Sequence, residues 1–194
     1  KEWKWIKDNP MADLKLPTKP KPRDRRISDD ETERLCLSAS YEPYTMPTTA
    51  TQQIMACFLL AIETGMRQGE LLKVRWQDVH IKERYIQLYD TKNSDDRHVP
   101  LSSNAIRLIE SLKGVDNSKL FTVSSGSFSQ LFRKLRNRCE IDDLHFHDTR
   151  HEACTRLARK IPMEDLARML GHRRLDSVMI YYNATATEIA SLLD

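Results

Sequence analysis

Between Ile54 and Ile62 the chain places Ile54, Phe58 and Ile62 at helical spacing, with Met55 and Leu59 beside them, and it reaches Gly65 shortly after. Apolar residues four apart fall on one stripe of an α-helix, so this segment is expected to be a core helix. Glycine adopts the left-handed conformation that ends a helix without steric penalty, which places the stop at Gly65. The run is too short to cross a bilayer. A domain built around such a helix needs further helices to cover it.

Those helices are legible on either side. Ser28-Asp29-Asp30-Glu31 has the pattern of a capping box, and it opens a short helix carrying Leu35 and Leu37. A proline-bearing loop follows over 41–47, and Leu71, Leu72, Val74 and Trp76 continue a buried face. Helical patterns recur over 104–113, 127–139, 149–160, 163–170 and 177–182, with Gly171 marking an end. Residues 85–89 instead alternate polar and apolar side chains, a strand signal, and His98-Val99-Pro100-Leu101 is the expected partner across a polar loop. The expected fold is mainly α with a small antiparallel β-sheet.

The first 27 residues read differently. Trp3, Trp5 and Ile6 suit the end of a helix whose partners lie upstream, and Pro10, Pro17, Pro20 and Pro22 are interleaved with lysines. Proline removes amide donors and disfavours helix in the residue before it, so this stretch is expected to be an extended linker. With Lys1 rather than Met in first place, the chain is taken as a fragment of a longer protein. The expected organisation is the end of an upstream domain with a basic linker over 1–27, one globular domain over 28–183, and a terminal segment over 184–194. In that last segment Ile189, Leu192 and Leu193 suit packing on a neighbouring protomer.

A net charge of +3 over 194 residues says little by itself, but the charge is uneven. Lys4, Lys7, Lys15, Lys19, Lys21, Arg23, Arg25 and Arg26 form one run, and Arg133, Lys134, Arg136 and Arg138 form another. Clustered cations attract phosphates by releasing condensed counterions, although any single run also suits a solvated helix face. Cys36, Cys57, Cys139 and Cys154 show no CxxC pairing, which fits reduced thiols in a reducing compartment. No signal peptide opens the chain.

The chemistry is carried by separated residues. They are Arg67 in TGMRQGEL, Lys92 in TKNSDD, His147 and Arg150 in HDTRH, His172 after Leu170-Gly171, and Tyr181 in MIYYN. A guanidinium is planar, permanently charged and able to grip two phosphate oxygens at once. His147 and Arg150 are three apart, so one helix face can aim both at one phosphate. Tyrosine is a poor nucleophile at its ordinary pKa near 10 unless cations stabilise the phenolate, and two arginines supply such a field. Cys139, His145, His147, His151 and Cys154 are a ligand-rich run that could hold zinc, but their spacing is irregular for a zinc module and zinc would leave Arg67, Arg150 and Tyr181 without a role.

In order and spacing these motifs resemble the tyrosine recombinase family, the phage integrases and their relatives, from about Ser28 to Tyr182. The resemblance implies that Arg67 and Arg150 are the catalytic arginines and that Glu70 supports the first. It implies that Lys92, at a hairpin tip, protonates the leaving oxygen, with Arg97 as a competitor that sits more in strand than in tip. His147 and His172 would position the phosphate, and Tyr181, nine positions after the GH dipeptide, would attack it. His151 is expected to be structural, hydrogen-bonded within the core. Tyr182 and Asn183 stand where many relatives have Thr and His, and Gly69 where many have Ser.

The implied activity is a site-specific recombinase that breaks and rejoins DNA through a 3′-phosphotyrosyl intermediate, without metal, cofactor or ATP, for integration or excision of a phage or genomic island. The implied partners are a double-stranded DNA recombination site, three further protomers in a tetramer on that DNA, and an accessory DNA-bending protein. The implied setting is the cytoplasm of a bacterium or of a phage host, away from membranes. A type IB topoisomerase, a non-catalytic DNA-binding module and a zinc nuclease are the alternatives.

Overall fold

The structure is a computed structural model, and it describes residues 23–89, 96–172, 174–179 and 181. The expected helix at the head of the chain, most of the proline-bearing linker, Lys92, Tyr182 and the segment after it lie outside the described residues. Among those described, eight α-helices and three short strands occur: α1 (Asp29–Ser38), α2 (Ala50–Thr64), α3 (Gln68–Leu71), β1 (Val79–His80), β2 (Tyr85–Leu88), β3 (Arg97–Pro100), α4 (Ser103–Ser111), α5 (Ser125–Arg138), α6 (Asp148–Leu157), α7 (Met163–Leu170) and α8 (Asp176–Met179). The mainly helical fold with a small antiparallel sheet is the one expected.

Local chemistry sets the boundaries. Ser28 closes a full capping box on α1: its hydroxyl accepts from the Glu31 amide at 3.1 Å, and its own amide donates to Glu31 Oε2 at 3.0 Å. Thr49 and Gln52 repeat the device at the head of α2. α2 stops at Gly65 (φ 66°) and α7 stops at Gly171 (φ 68°), both left-handed as glycine permits.

α2 is the central helix, with Ile54, Met55, Cys57, Phe58, Leu60 and Ala61 buried, and it packs against α4, α5 and α6. Phe58, Phe128, Phe132 and Phe146 form one aromatic cluster in which the Phe128 and Phe146 rings meet edge to face at 4.9 Å. Phe146 directly precedes His147, so this cluster anchors the start of α6. Leu37 of α1 is 71% exposed, in contrast to Leu35, which is fully buried.

The sheet has order β1-β2-β3, all antiparallel, with Ile86 paired to Val99 and Leu88 to Arg97. Ile86, Leu88 and Val99 face the core. On the other face Tyr85 lies between the rings of His80 and His98 at 4.5 and 4.4 Å. β1 was not anticipated, because a two-residue strand is too short to show alternation. Among the described residues no helix is long and apolar enough to cross a membrane.

Candidate active site

The site is assembled where α2 and α7 end, α3 and α6 begin, and β3 passes beneath. Arg67 caps α3 in an extended conformation (φ −74°, ψ 151°). Its amide donates to Glu70 Oε2 at 2.8 Å and its Nη1 to Glu70 Oε1 at 2.9 Å, so backbone and side chain are fixed by one carboxylate. Glu70 is held below the usual glutamate range: burial works against ionisation, but the hydrogen bond from Arg97 and those from Arg67 outweigh it.

Arg150 projects from the first turn of α6 and is 4% exposed. Its Nη1 donates to the Gly65 carbonyl and its Nη2 to the Leu170 carbonyl, both at 2.7 Å. Two helix C-termini therefore turn their partial negative charge toward one guanidinium. Among the described residues Arg150 makes no ion pair. Burial first, and then the field of Arg67, lower its pKa to about 10. It remains charged at neutral pH, and its unused N–H groups are available to an anion.

His147 caps α6 with a helical backbone and lies at the surface. Loss of solvent on its inner side, then Arg150 and Arg67, lower its pKa below the ordinary histidine value. His172 follows the left-handed Gly171, its amide bonded to the Ala167 carbonyl at 2.9 Å. Burial, then Arg150, Arg67 and Arg97, push it down to about 4, and its buried Nδ1 has no hydrogen-bond partner among the described residues. Tyr181 is half-buried against Cys154, Ala158, Leu166, Ala167, Leu170 and Val178. Burial and then Cys154 raise its pKa, while Arg150 acts in the opposite direction.

Arg67, His147 and Arg150 line one cavity of about 230 Å³ with Met66, Gln68, Gly69, Phe146 and Thr149. A larger one of about 560 Å³ adjoins it across Arg67 and Gly69 and carries Lys73, Arg75, Gln77, Gln87 and Tyr89 on its walls. The structure thus brings Arg67, His147, Arg150 and His172 within one electrostatic field, with Tyr181 at its edge. Lys92 lies outside the described residues.

Two expectations need correction. The His151 ring packs edge-on to Tyr181 at 5.0 Å, and its buried Nδ1 has no partner among the described residues, so it is not held by a core hydrogen bond there. The described members of the N-terminal basic run are engaged by the domain itself rather than left for phosphate. Arg23 grips Asp148 through Nε and Nη2, both at 3.0 Å, and Arg26 grips Glu152 at 2.7 and 2.9 Å. Arg25 pairs with Glu31. By contrast Arg133, Lys134 and Arg138 of α5 are exposed. Of the ligand-rich run, Cys139 belongs to the main core and Cys154 to the cluster around Tyr181, and the described residues contain no group of three or more suited to hold a metal ion.

Sequence reasoning undervalued Arg97. It is buried on β3, donates from Nη2 to Glu70 Oε2 at 2.8 Å and from Nε to the Met169 carbonyl at 3.0 Å. The one available signal was its position at the head of the alternating strand.

The profile of the phage integrase family matches residues 25–188. A Haemophilus influenzae protein provisionally named an integrase/recombinase is 36% identical over 99% of this chain and 64% of its own length. The shufflon-specific DNA recombinase of Escherichia coli is 31% identical over 100% of this chain and 49% of its own length. The chain therefore spans between about half and two thirds of these relatives. Among solved structures, the catalytic domain of bacteriophage HP1 integrase has the same fold, with a TM-score of 0.64 at 20% identity over 87% of this chain and 92% of that one.

Proposed function

We propose, from the premise that this chain belongs to the phage integrase family of tyrosine recombinases, that it is the catalytic part of a site-specific DNA recombinase. The observation that carries the reading is Arg150. A guanidinium 4% exposed, with no carboxylate partner among the described residues and with Arg67 beside it, is a charge awaiting an anion. A bridging DNA phosphodiester is such an anion, and the adjoining cavity lined by Lys73 and Arg75 suits the strand on either side.

In this reading the Tyr181 hydroxyl attacks phosphorus and forms a 3′-phosphotyrosyl bond, while the bond to the 5′ oxygen breaks. Arg67 and Arg150 stabilise the non-bridging oxygens as negative charge grows in the pentacoordinate state. His147 and His172, both neutral at neutral pH, orient the phosphate and accept the tyrosine proton. Lys92 protonates the leaving oxygen. The 5′-hydroxyl of a partner strand then attacks the phosphotyrosyl bond, which regenerates Tyr181. Each phosphodiester is exchanged for a bond of similar energy, so no ATP is needed, and Arg67 and Arg150 supply the charge stabilisation that a divalent metal would otherwise give.

The finer proposals follow the same logic. Residues 28–183 form the catalytic domain, and 1–27 and 184–194 lead to an upstream DNA-binding domain and a protomer contact. Four protomers act on two duplexes with a DNA-bending partner, in the cytoplasm, to integrate or excise a phage or genomic island. The test uses the complete gene product and nicked duplexes tiled across the DNA flanking the gene. Tyr181→Phe is expected to abolish the covalent adduct and leave DNA affinity within about two-fold of the parent, since only a hydroxyl is lost. An adduct formed by Tyr181→Phe but not by Tyr182→Phe would falsify the choice of nucleophile.

A further inference from the structure

We infer that Arg97 is a positioning residue for strand transfer, holding Glu70 so that this carboxylate does not neutralise Arg67 and tying the β2–β3 hairpin to the turn that carries His172. The inference rests on the reading of the site as a strand-transfer centre and assigns a role to a residue outside its catalytic set.

Glu70 stands between two guanidiniums. Oε1 accepts from Arg67, and Oε2 is shared by the Arg67 amide and Arg97 Nη2. The two partners are unequal: the Arg97 side chain is 6% exposed and that of Arg67 is 30%. Charges attract more strongly where solvent is excluded, so the carboxylate is drawn inward to Arg97. Arg67 keeps one anchoring bond and leaves its outer N–H groups for a phosphate. If Arg97 carried no charge, Glu70 would face Arg67 alone and cancel part of the field that the reaction uses.

A second set of contacts reaches the histidine. Arg97 Nε binds the Met169 carbonyl near the end of α7, and the guanidinium lies against Gly171. A Cβ on Gly171 would lie 3.0 Å from Arg97 Nη1, so a side chain there would press on the guanidinium, and the φ of +68° itself favours glycine. His172 is the next residue. Arg97 Nη1 is itself buried without a hydrogen-bond partner among the described residues. An apolar side chain would fill the same space without leaving a buried donor unsatisfied, so packing alone does not account for an arginine.

The experiment measures single-turnover adduct formation and DNA affinity with the complete gene product on the tiled nicked duplexes, alongside thermal unfolding of each variant. Arg97→Met is expected to slow adduct formation about ten-fold or more while affinity stays within about two-fold. Adding Glu70→Gln to Arg97→Met is expected to restore part of that rate, because the carboxylate that turns on Arg67 is gone. A residue that only packs predicts the reverse, with the second substitution adding its own loss. Arg97→Lys keeps the charge and loses the Met169 bond, so it should fall between parent and Arg97→Met, and it serves if Arg97→Met fails to fold. Parent-like adduct formation by Arg97→Met, or a double variant slower than Arg97→Met, overturns the role of Arg97 and leaves the site reading intact. Absence of any adduct with the parent protein overturns the site reading and this role with it.

Discussion

Arg150 and His172 show how single residues here are held in costly states. Removing a guanidinium from water disfavours its charge, yet both of its terminal nitrogens are bound by neutral carbonyls rather than a carboxylate. The field is thereby kept for a ligand, and His172, shifted first by burial and then by Arg150, Arg67 and Arg97, registers it. With its pKa lowered to about 4 from the ordinary 6.5, His172 is neutral through the range in which a free histidine gains its proton. The unfolded chain therefore binds a proton between about 6.5 and about 4 that the folded chain refuses, and stability from this residue declines as pH falls through that window. Ring-proton NMR on the DNA-free protein should give a His172 midpoint well below 6.5, and bound DNA should raise it because phosphate offsets the arginines. A midpoint at 6.5 without DNA contradicts the geometry of the site.

α6 is the element on which the site's two halves depend, and it is clamped from outside. Asp148 and Glu152 flank Arg150 by two residues on each side, and each is gripped by an arginine of the N-terminal segment. The Glu152 carboxylate is 8% exposed and also accepts from the Ile27 amide at 3.1 Å, while Arg26 is 53% exposed. Arg26→Met should therefore cost about 1–2 kcal/mol, a figure discounted for the solvent that screens the arginine, measured as a lower urea midpoint at unchanged slope. Glu152 is held below the usual carboxylate range, so its contribution is present above about 4.5 and disappears as pH falls through the lowered value. Glu152→Gln should flatten that acid limb of the stability curve. The helices other than α3 were readable, since capping boxes, apolar spacing and terminal glycines are local patterns, whereas the four residues of α3 are too few to show a period. These clamps were not, because they join residues about 125 apart, and a run of arginines looks the same whether it meets phosphate or carboxylate. The approach of Arg97 to Glu70 was hidden for the same reason.

At the scale of the molecule the apolar side chains of the described residues fall into two clusters of unequal size. The larger is built around α2 and includes the aromatic quartet, whereas Cys154, Ala158, Leu166, Ala167, Leu170 and Val178 form a small one that receives Tyr181. The proposed nucleophile thus rests on the lesser core. α7 is joined to the main body by Met169 and by carbonyl bonds from Arg97 and Arg150, so one of the two arginines proposed to bind phosphate also holds this segment down. Little buried apolar surface means a low local opening free energy. In native-state hydrogen exchange, the amides of Leu166, Gly171 and Tyr181, bonded to the carbonyls of Pro162, Arg168 and Val178, should exchange through a cheaper opening than those of Phe58, Leu60 and Ala61 in α2. Leu166→Ala leaves a cavity in the small cluster and removes about 2–5 kcal/mol of packing. It should accelerate exchange at those three amides and leave the α2 amides nearly unchanged. Equal acceleration in both regions would mean one cooperative unit, in which Tyr181 could not be released without unfolding the domain proposed to hold the phosphate.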